Sequence, residues 1–264
     1  MKAMMMTDIE GVAGVVTFEQ QSYATGPYYE EAKHLLTQEV NAAVEGLLNA
    51  GVEEVLVIDG HGPGGIKFEE IHPRALLLHG RPLAPRSVQR TVMADYDVAL
   101  MIGQHAMAGV IDGNLAHTQS SRHIDYIKLN GIPIGEIAQF ALYCGALGIP
   151  MIFLSGDDAA CREVEALIPG IVTAAVKRGL SRNSAISLSK EAARSLIHDR
   201  IQTDVQHHAT NPIAPLVWDP PYELEIRYFH TDTADAKASA PDVDRVDSQT
   251  VRIRGDNILD LIYR

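Results

Sequence analysis

Residues 2–11 read KAMMMTDIEG, a short apolar run that stops at two acidic side chains, Asp8 and Glu10. Near-continuous apolar character, without alternation, is what a strand covered on both faces requires. The acidic pair then falls where open parallel sheets bind ligands, just beyond the carboxyl end of a strand. The pattern recurs along the chain. Val55–Ile58 runs into Asp59-Gly60-His61-Gly62, and Val98–Ile102 runs into Gly103-Gln104-His105-Ala106. Ala75–Leu78, Pro150–Leu154 and Ile171–Val176 are further runs of this kind, and all are expected to be covered on both sides.

Helical patterns lie between these runs. Over Tyr28–Ala50 the apolar positions Ala32, Leu35, Leu36, Ala43, Val44, Leu47 and Leu48 recur at intervals of three and four, and Gly51 ends the pattern as a C′ residue. Asp157–Leu167 and Lys190–His207 read as helices, the second capped by Ser189. The uncharged stretch Ile137–Gly156 reads as a buried helix, a turn at Gly148-Ile149-Pro150, and a buried strand. The predicted fold class is therefore α/β: a mostly parallel central sheet with helices on both faces and right-handed crossovers. Two segments depart from the pattern. His123–Leu129 and Ile132–Ile134 flank Asn130-Gly131, which predicts a β-hairpin insertion on a type I′ turn. After the prolines at 212, 215, 220 and 221, Tyr222–His230 alternates with Leu224, Ile226 and Tyr228 on one face, Gln249–Arg254 reads as another strand, and Ile258–Tyr263 as a last helical turn. The expected division is an α/β domain over residues 1–210 and a small C-terminal α+β part over 211–264, either a subdomain or an extension of the sheet.

Composition limits the function classes. Thirty-four acidic against 22 basic residues leave a formal charge of −12, which argues against nucleic acid or an anionic membrane surface as partner. Cys144 and Cys161 are too few for a disulfide framework and read as reduced thiols in a cytoplasmic protein. The first apolar run ends at Asp8, too soon for a signal peptide core.

Asp8, Glu10, His61, His105 and Glu136, the last at the first turn of the helix after the hairpin, would stand on one rim. Taken singly, each has an ordinary alternative: a helix cap, a solvated carboxylate, a hydrogen-bonded histidine. Together, three carboxylates would repel one another unless a divalent cation intervened. Imidazole nitrogen with carboxylate oxygen suits zinc best, with manganese or iron also possible. Five ligands exceed one catalytic zinc and suffice for two if one carboxylate bridges. His117, in Gly113-Asn114-Leu115-Ala116-His117-Thr118, is a candidate catalytic histidine if its loop folds back over the rim. Gly60–Gly65 matches G-x-G-x-x-G, but Pro73 soon interrupts the helix that a dinucleotide site needs, and Gly80–Arg86 offers no acid for a ribose. The rivals are another dinuclear hydrolase, acting on an amide or phosphate ester, and, less favoured, a nucleotide-binding oxidoreductase.

Met6–Gly11, Asp59-Gly60-His61, Gly103–Ala106, Ala116-His117-Thr118, Gly135-Glu136, Gly156-Asp157-Asp158 and Thr173–Lys177 together resemble the D-aminopeptidase family of metallopeptidases. Order and spacing agree over about residues 1–185. The resemblance implies a two-zinc aminopeptidase acting on short peptides. It implies that Asp8 bridges the metals, that Glu10 and His105 complete one site and His61 and Glu136 the other, and that His117 is catalytic. It also implies a homodecamer whose active sites face an internal chamber. Thr7 and Ala116 stand where the family commonly has serine, and the loop from His105 to His117 is one residue longer. These departures leave the preference between D- and L-residues open.

Overall fold

The computed structural model describes residues 1–264. The chain begins with β1 (Lys2–Thr7), crosses through α1 (Tyr29–Asn49) to β2 (Glu54–Asp59), and continues to β3 (Ala75–Leu78), α2 (Arg86–Met93) and β4 (Val98–Gln104). A hairpin, β5 (Ile124–Leu129) and β6 (Ile132–Pro133), precedes α3 (Glu136–Ala146), β7 (Met151–Asp157), α4 (Asp158–Leu167), β8 (Val172–Ser181) and β9 (Ser184–Ser187). Then come α5 (Lys190–Thr210), β10 (Tyr222–Tyr228), α6 (Thr231–Ala238), β11 (Val243–Arg245), β12 (Thr250–Gly255) and α7 (Ile258–Leu261).

The main sheet has seven strands in the order β3-β2-β1-β4-β7-β8-β9. All its pairings are parallel except β8 with β9. The expected mostly parallel sheet is what the chain forms. β1, β4 and β7 are buried almost end to end. β3 is different: it pairs only with β2, lies at the sheet edge, and leaves Leu76 half exposed. Its apolar run is therefore not covered on both faces, and neither is that of β8, where Ala175 is exposed and burial alternates; both strands lie towards the ends of the sheet, away from its fully covered middle. α1 packs against α5, while α3 packs against α4 and α7. No helix is long and apolar enough to cross a membrane.

The hairpin forms on Asn130 (φ 51°) and Gly131 (φ 79°), as the type I′ sequence requires. It does not stay with the main sheet. β5 pairs antiparallel with β10, giving a second, five-stranded sheet ordered β11-β12-β10-β5-β6. That sheet draws strands from both sides of residue 210. β10 buries Leu224, Ile226 and Tyr228 on one face, as its alternation predicts.

Strand order places the site. From β1 the chain moves towards β2, whereas from β4 it moves through the hairpin and α3 towards β7. Right-handed crossovers in opposite directions put their helices on opposite faces, so a crevice opens between the ends of β1 and β4. The two ends are locked together. Asp8 N–H donates to the Ile102 carbonyl at 2.9 Å, and Gly11 N–H to the Gly103 carbonyl at 2.7 Å. Gly103 has φ 75°, and a Cβ there would lie 2.1 Å from the Asp8 carbonyl oxygen, so only glycine allows this approach.

Candidate metal centre

All six residues singled out from the sequence meet at this crevice. Asp8 and Glu10 follow β1, His61 follows β2, His105 follows β4, and Glu136 is the first residue of α3. The loop carrying His117 does fold back over the rim. Its imidazole stacks on that of His105 with centroids 4.0 Å apart, and meets Phe18 edge-on at 5.3 Å.

The two carboxylate oxygens of Asp8 face different histidines. Oδ1 lies 3.0 Å from His61 Nδ1, and Oδ2 lies 3.1 Å from His105 Nε2. Glu10 Oε2 lies 3.2 Å from His61 Nδ1, and Glu136 Oε1 lies 3.4 Å from His105 Nε2 and 3.9 Å from His117 Nε2. Donor atoms of Asp8, Glu10 and His105 fall within 4.8 Å of one another, as do those of His105, His117 and Glu136. Asp8, Glu10, His61, His105 and His117 are all buried.

The backbone fixes the protonation of each imidazole. His61 Nε2 meets the Ser22 carbonyl at 2.9 Å, His105 Nδ1 the Ala106 carbonyl at 2.9 Å, and His117 Nδ1 the Leu115 carbonyl at 2.9 Å. A carbonyl only accepts, so each of these nitrogens carries the proton. The opposite nitrogens of the neutral rings, His61 Nδ1, His105 Nε2 and His117 Nε2, then present lone pairs to the carboxylates. Lone pair against carboxylate at about 3 Å is repulsive in a buried site unless a cation or an added proton lies between. Glu10 Oε2 and His105 Nε2 are buried with no hydrogen-bond partner. Orphaned donors of this kind, with the rear nitrogen of each histidine tied to the main chain, match the way proteins hold zinc. The residues present fit a metal.

The electrostatics follow. Burial and the neighbouring Glu10 charge push the Asp8 carboxyl up. Burial opposes ionisation of Glu10 too, but His61 outweighs it and holds that carboxyl well below the usual range. Burial disfavours charge on His61 and His105, yet Glu10 and Asp8 raise the first and Asp8 and Glu136 the second. Burial opposes ionisation of Glu136, and His105 overcomes it, lowering that carboxyl. His117 moves the other way: burial, then the adjacent His105, lower it, leaving a neutral ring.

A second layer of residues positions these groups. Ser22 Oγ donates to Glu10 Oε1 at 2.5 Å while its carbonyl orients His61. Lys177, buried in β8, donates to the carbonyls of Glu10 and Val15 and to Asn114 Oδ1. Gln119 N–H donates to Glu136 Oε1 at 2.6 Å. Leu115, buried with φ 58°, turns its carbonyl to His117; Arg182 bonds the next carbonyl, that of Ala116. Ser22 was not legible in the sequence, because its contacts are with residues 12 and 39 positions away. Lys177 had one usable signal, a lysine at the end of an otherwise apolar strand run.

The glycine loop of residues 60–65 serves His61. Gly60 N–H donates to the Thr7 carbonyl, Gly65 N–H to Asp59 Oδ1, and only a single helical turn, Phe68–Glu70, follows. The long helix whose N-terminus would bind a pyrophosphate is not there.

A family model described as D-aminopeptidase matches residues 1–263. The chain belongs to the D-aminopeptidase family. With the family goes the enzyme class, a metallo-aminopeptidase that hydrolyses peptide bonds. A D-aminopeptidase of Bacillus subtilis (strain 168) is 31% identical over 219 residues, covering 81% of this chain and 78% of the relative. Among solved structures, a Zn-dependent D-aminopeptidase DppA from Bacillus subtilis, described as a self-compartmentalizing protease, superposes with a TM-score of 0.90. It is 27% identical, over 99% of this chain and 94% of that one.

Proposed function

We propose that this member of the D-aminopeptidase family holds two zinc ions and releases the N-terminal residue of short peptides, D-residues included. One observation carries the reading: three imidazoles, each with its proton committed to a main-chain carbonyl, turn lone pairs towards three carboxylates, those of Asp8 and Glu10 buried. Asp8 is the bridging ligand, since its two oxygens face different histidines. Following the resemblance, Glu10 and His105 complete one ion site and His61 and Glu136 the other; the donor atoms of Asp8, Glu10 and His105 lie together, while the approaches of Glu10 to His61 at 3.2 Å and of Glu136 to His105 at 3.4 Å run between the two sites. When bound, such ions lower the pKa of water towards neutrality and polarise the scissile carbonyl. His117 is the catalytic residue. With Nδ1–H held by the Leu115 carbonyl, its neutral Nε2 faces the cleft and can take a proton and pass it to the leaving amine.

The relative's description as a self-compartmentalizing protease supports a homo-oligomer, a decamer in our reading, enclosing the sites and admitting only small peptides. Two free, buried cysteines agree with a reducing, cytoplasmic setting. The test is elemental analysis of the purified protein, combined with hydrolysis of D-Ala and L-Ala dipeptides with and without chelator. Two zinc per chain and chelator-sensitive release of alanine are expected. One zinc per chain, or turnover indifferent to chelator, overturns the reading.

A further inference from the structure

Two cavities meet at the centre, and they differ in character. The larger, about 610 Å³, is an open polar cleft bordered by Glu10, His61 and His117 and by the Gln119–His123 loop. The smaller, about 210 Å³, lies on the other side of Asp8 and Glu136. Both share Asp8, Gly60, Glu136 and Tyr263, so the two adjoin at the carboxylates. The smaller cavity is walled by Met6, Met93, Met101, Phe140, Tyr143 and Tyr263. Met93, Met101 and Phe140 are core residues, exposed by no more than 3%. Its floor is therefore rigid sheet and helix rather than loop.

Three of the polar side chains at its edge are tied to the main chain. Thr7 Oγ1 donates to the Ile58 carbonyl at 3.3 Å, Gln89 Nε2 to the Ala84 carbonyl at 2.5 Å, and Arg86 to the Tyr263 carbonyl. Beyond them, away from Asp8 and Glu136, the wall is a thioether and aromatic lining, adaptable in shape. An apolar cavity of about 150 Å³ already accepts a benzene ring. An aminopeptidase needs a blind end for the residue it releases and an open path for the peptide it leaves behind.

We infer that the cavity between Met93, Met101, Phe140 and Tyr263 receives the side chain of the substrate's N-terminal residue, and that this enzyme selects a bulky apolar residue there, of leucine or phenylalanine type. The inference rests on the peptidase reading above and narrows its substrate class. Leu83, half-buried at the cavity rim, and Met93 on its wall are the positions where added bulk narrows it. One methylene in an apolar pocket is worth about tenfold or more, so the enzyme should discriminate leucine from alanine by at least that factor.

Two measurements test it on the zinc-loaded enzyme. Calorimetric titration with free leucine, phenylalanine, alanine and glutamate, compared within the hand that binds more tightly, reads the pocket without turnover. Dipeptides carrying the same N-terminal residues before glycine give kcat/KM. We expect leucine and phenylalanine to lead alanine and glutamate at least tenfold in both, and Leu83→Trp and Met93→Phe each to cut the leucine-to-alanine ratio about tenfold. Alanine or glutamate equal to leucine in the wild type overturns the assignment, as does a ratio unchanged in both variants. The expected ranking of free amino acids without hydrolysis of any dipeptide sinks the peptidase reading and leaves the pocket standing.

Discussion

Ser22 offers the sharpest test of the proposed centre, because it touches Glu10 and His61 through different atoms. Its hydroxyl donates to Glu10 Oε1 at 2.5 Å, and its carbonyl accepts from His61 Nε2 at 2.9 Å. Ser22→Ala removes the first contact and keeps the second, since a backbone carbonyl survives the substitution. The hydroxyl is buried with its carboxylate partner, so no water simply takes its place. A hydrogen bond to a charged group contributes about 1.5–3 kcal/mol. At about 1.4 kcal/mol per tenfold, the ion held by Glu10 should bind about 10- to 150-fold more weakly, the range that outer-layer partners of metal ligands usually command. The fold should be unaffected, because no core contact is lost. The assay is competition for zinc against a chromophoric chelator, with thermal melting as control. Two binding steps are expected, only one of them weakened, with activity recovered at high zinc. If both zinc affinities stay within twofold of wild type, Ser22 does not act through Glu10 and the assignment of Glu10 as a ligand falls with it.

Asp8→Ala should abolish binding of both ions and all turnover, since a bridge is lost to both sites; retention of one full equivalent by elemental analysis would contradict the bridging role. His117→Ala should keep both ions while kcat falls about 10²- to 10⁴-fold, the usual contribution of a general acid or base; near-normal rates would remove it from the mechanism. Asp204, fully buried in α5 with neither carboxylate oxygen partnered, is pushed up to about 8 by burial. Between an unfolded value of about 3.9 and that folded value, the folded chain keeps a proton that the unfolded chain releases. Stability should therefore fall as pH rises through this window, by up to about 1.4 kcal/mol per unit, and level off above it. Glu39 and Glu163, each raised to about 7 by burial, add slope of the same sign below that pH, so melting curves from pH 5 to 8 should be shallower in Asp204→Asn than in the wild type, most clearly between pH 7 and 8; equal slopes would refute it.

Most of what positions the centre was written locally. The apolar runs ending at Met6, Ile58 and Ile102 became β1, β2 and β4 because full burial demands unbroken hydrophobicity, and the residues after them fell at the crevice because topology leaves little choice. Asn130-Gly131 fixed its turn through φ alone. What escaped were non-local decisions. α2 is a single short stretch of eight residues that buries only Met93; its other apolar positions, Val88 and Val92, stay exposed, so it has little core contact to mark it out. β9, β11 and α6 are short and polar, and they form only because a neighbour is there to receive them. The hairpin's partner, β10, lies about a hundred residues further on, and alternation identifies a strand without naming its mate. Gly103 and Ser22 act through backbone approach and a distant carboxylate, neither of which leaves a periodic trace.

Glu136 sits directly behind the hairpin, whose β5 is stitched to β10, and one turn further along α3 Gln139 Nε2 donates to the Ile262 carbonyl at 2.9 Å. The roster of candidate ligands is complete by residue 136, yet the scaffolding that sets the last of them against the others is encoded some ninety to 125 residues later. A protein engineer who trims or replaces the segment from Tyr222 onward would keep every coordinating side chain and still unmoor the helix that aims one of them. Grafting this chemistry onto another framework therefore means transplanting both sheets together.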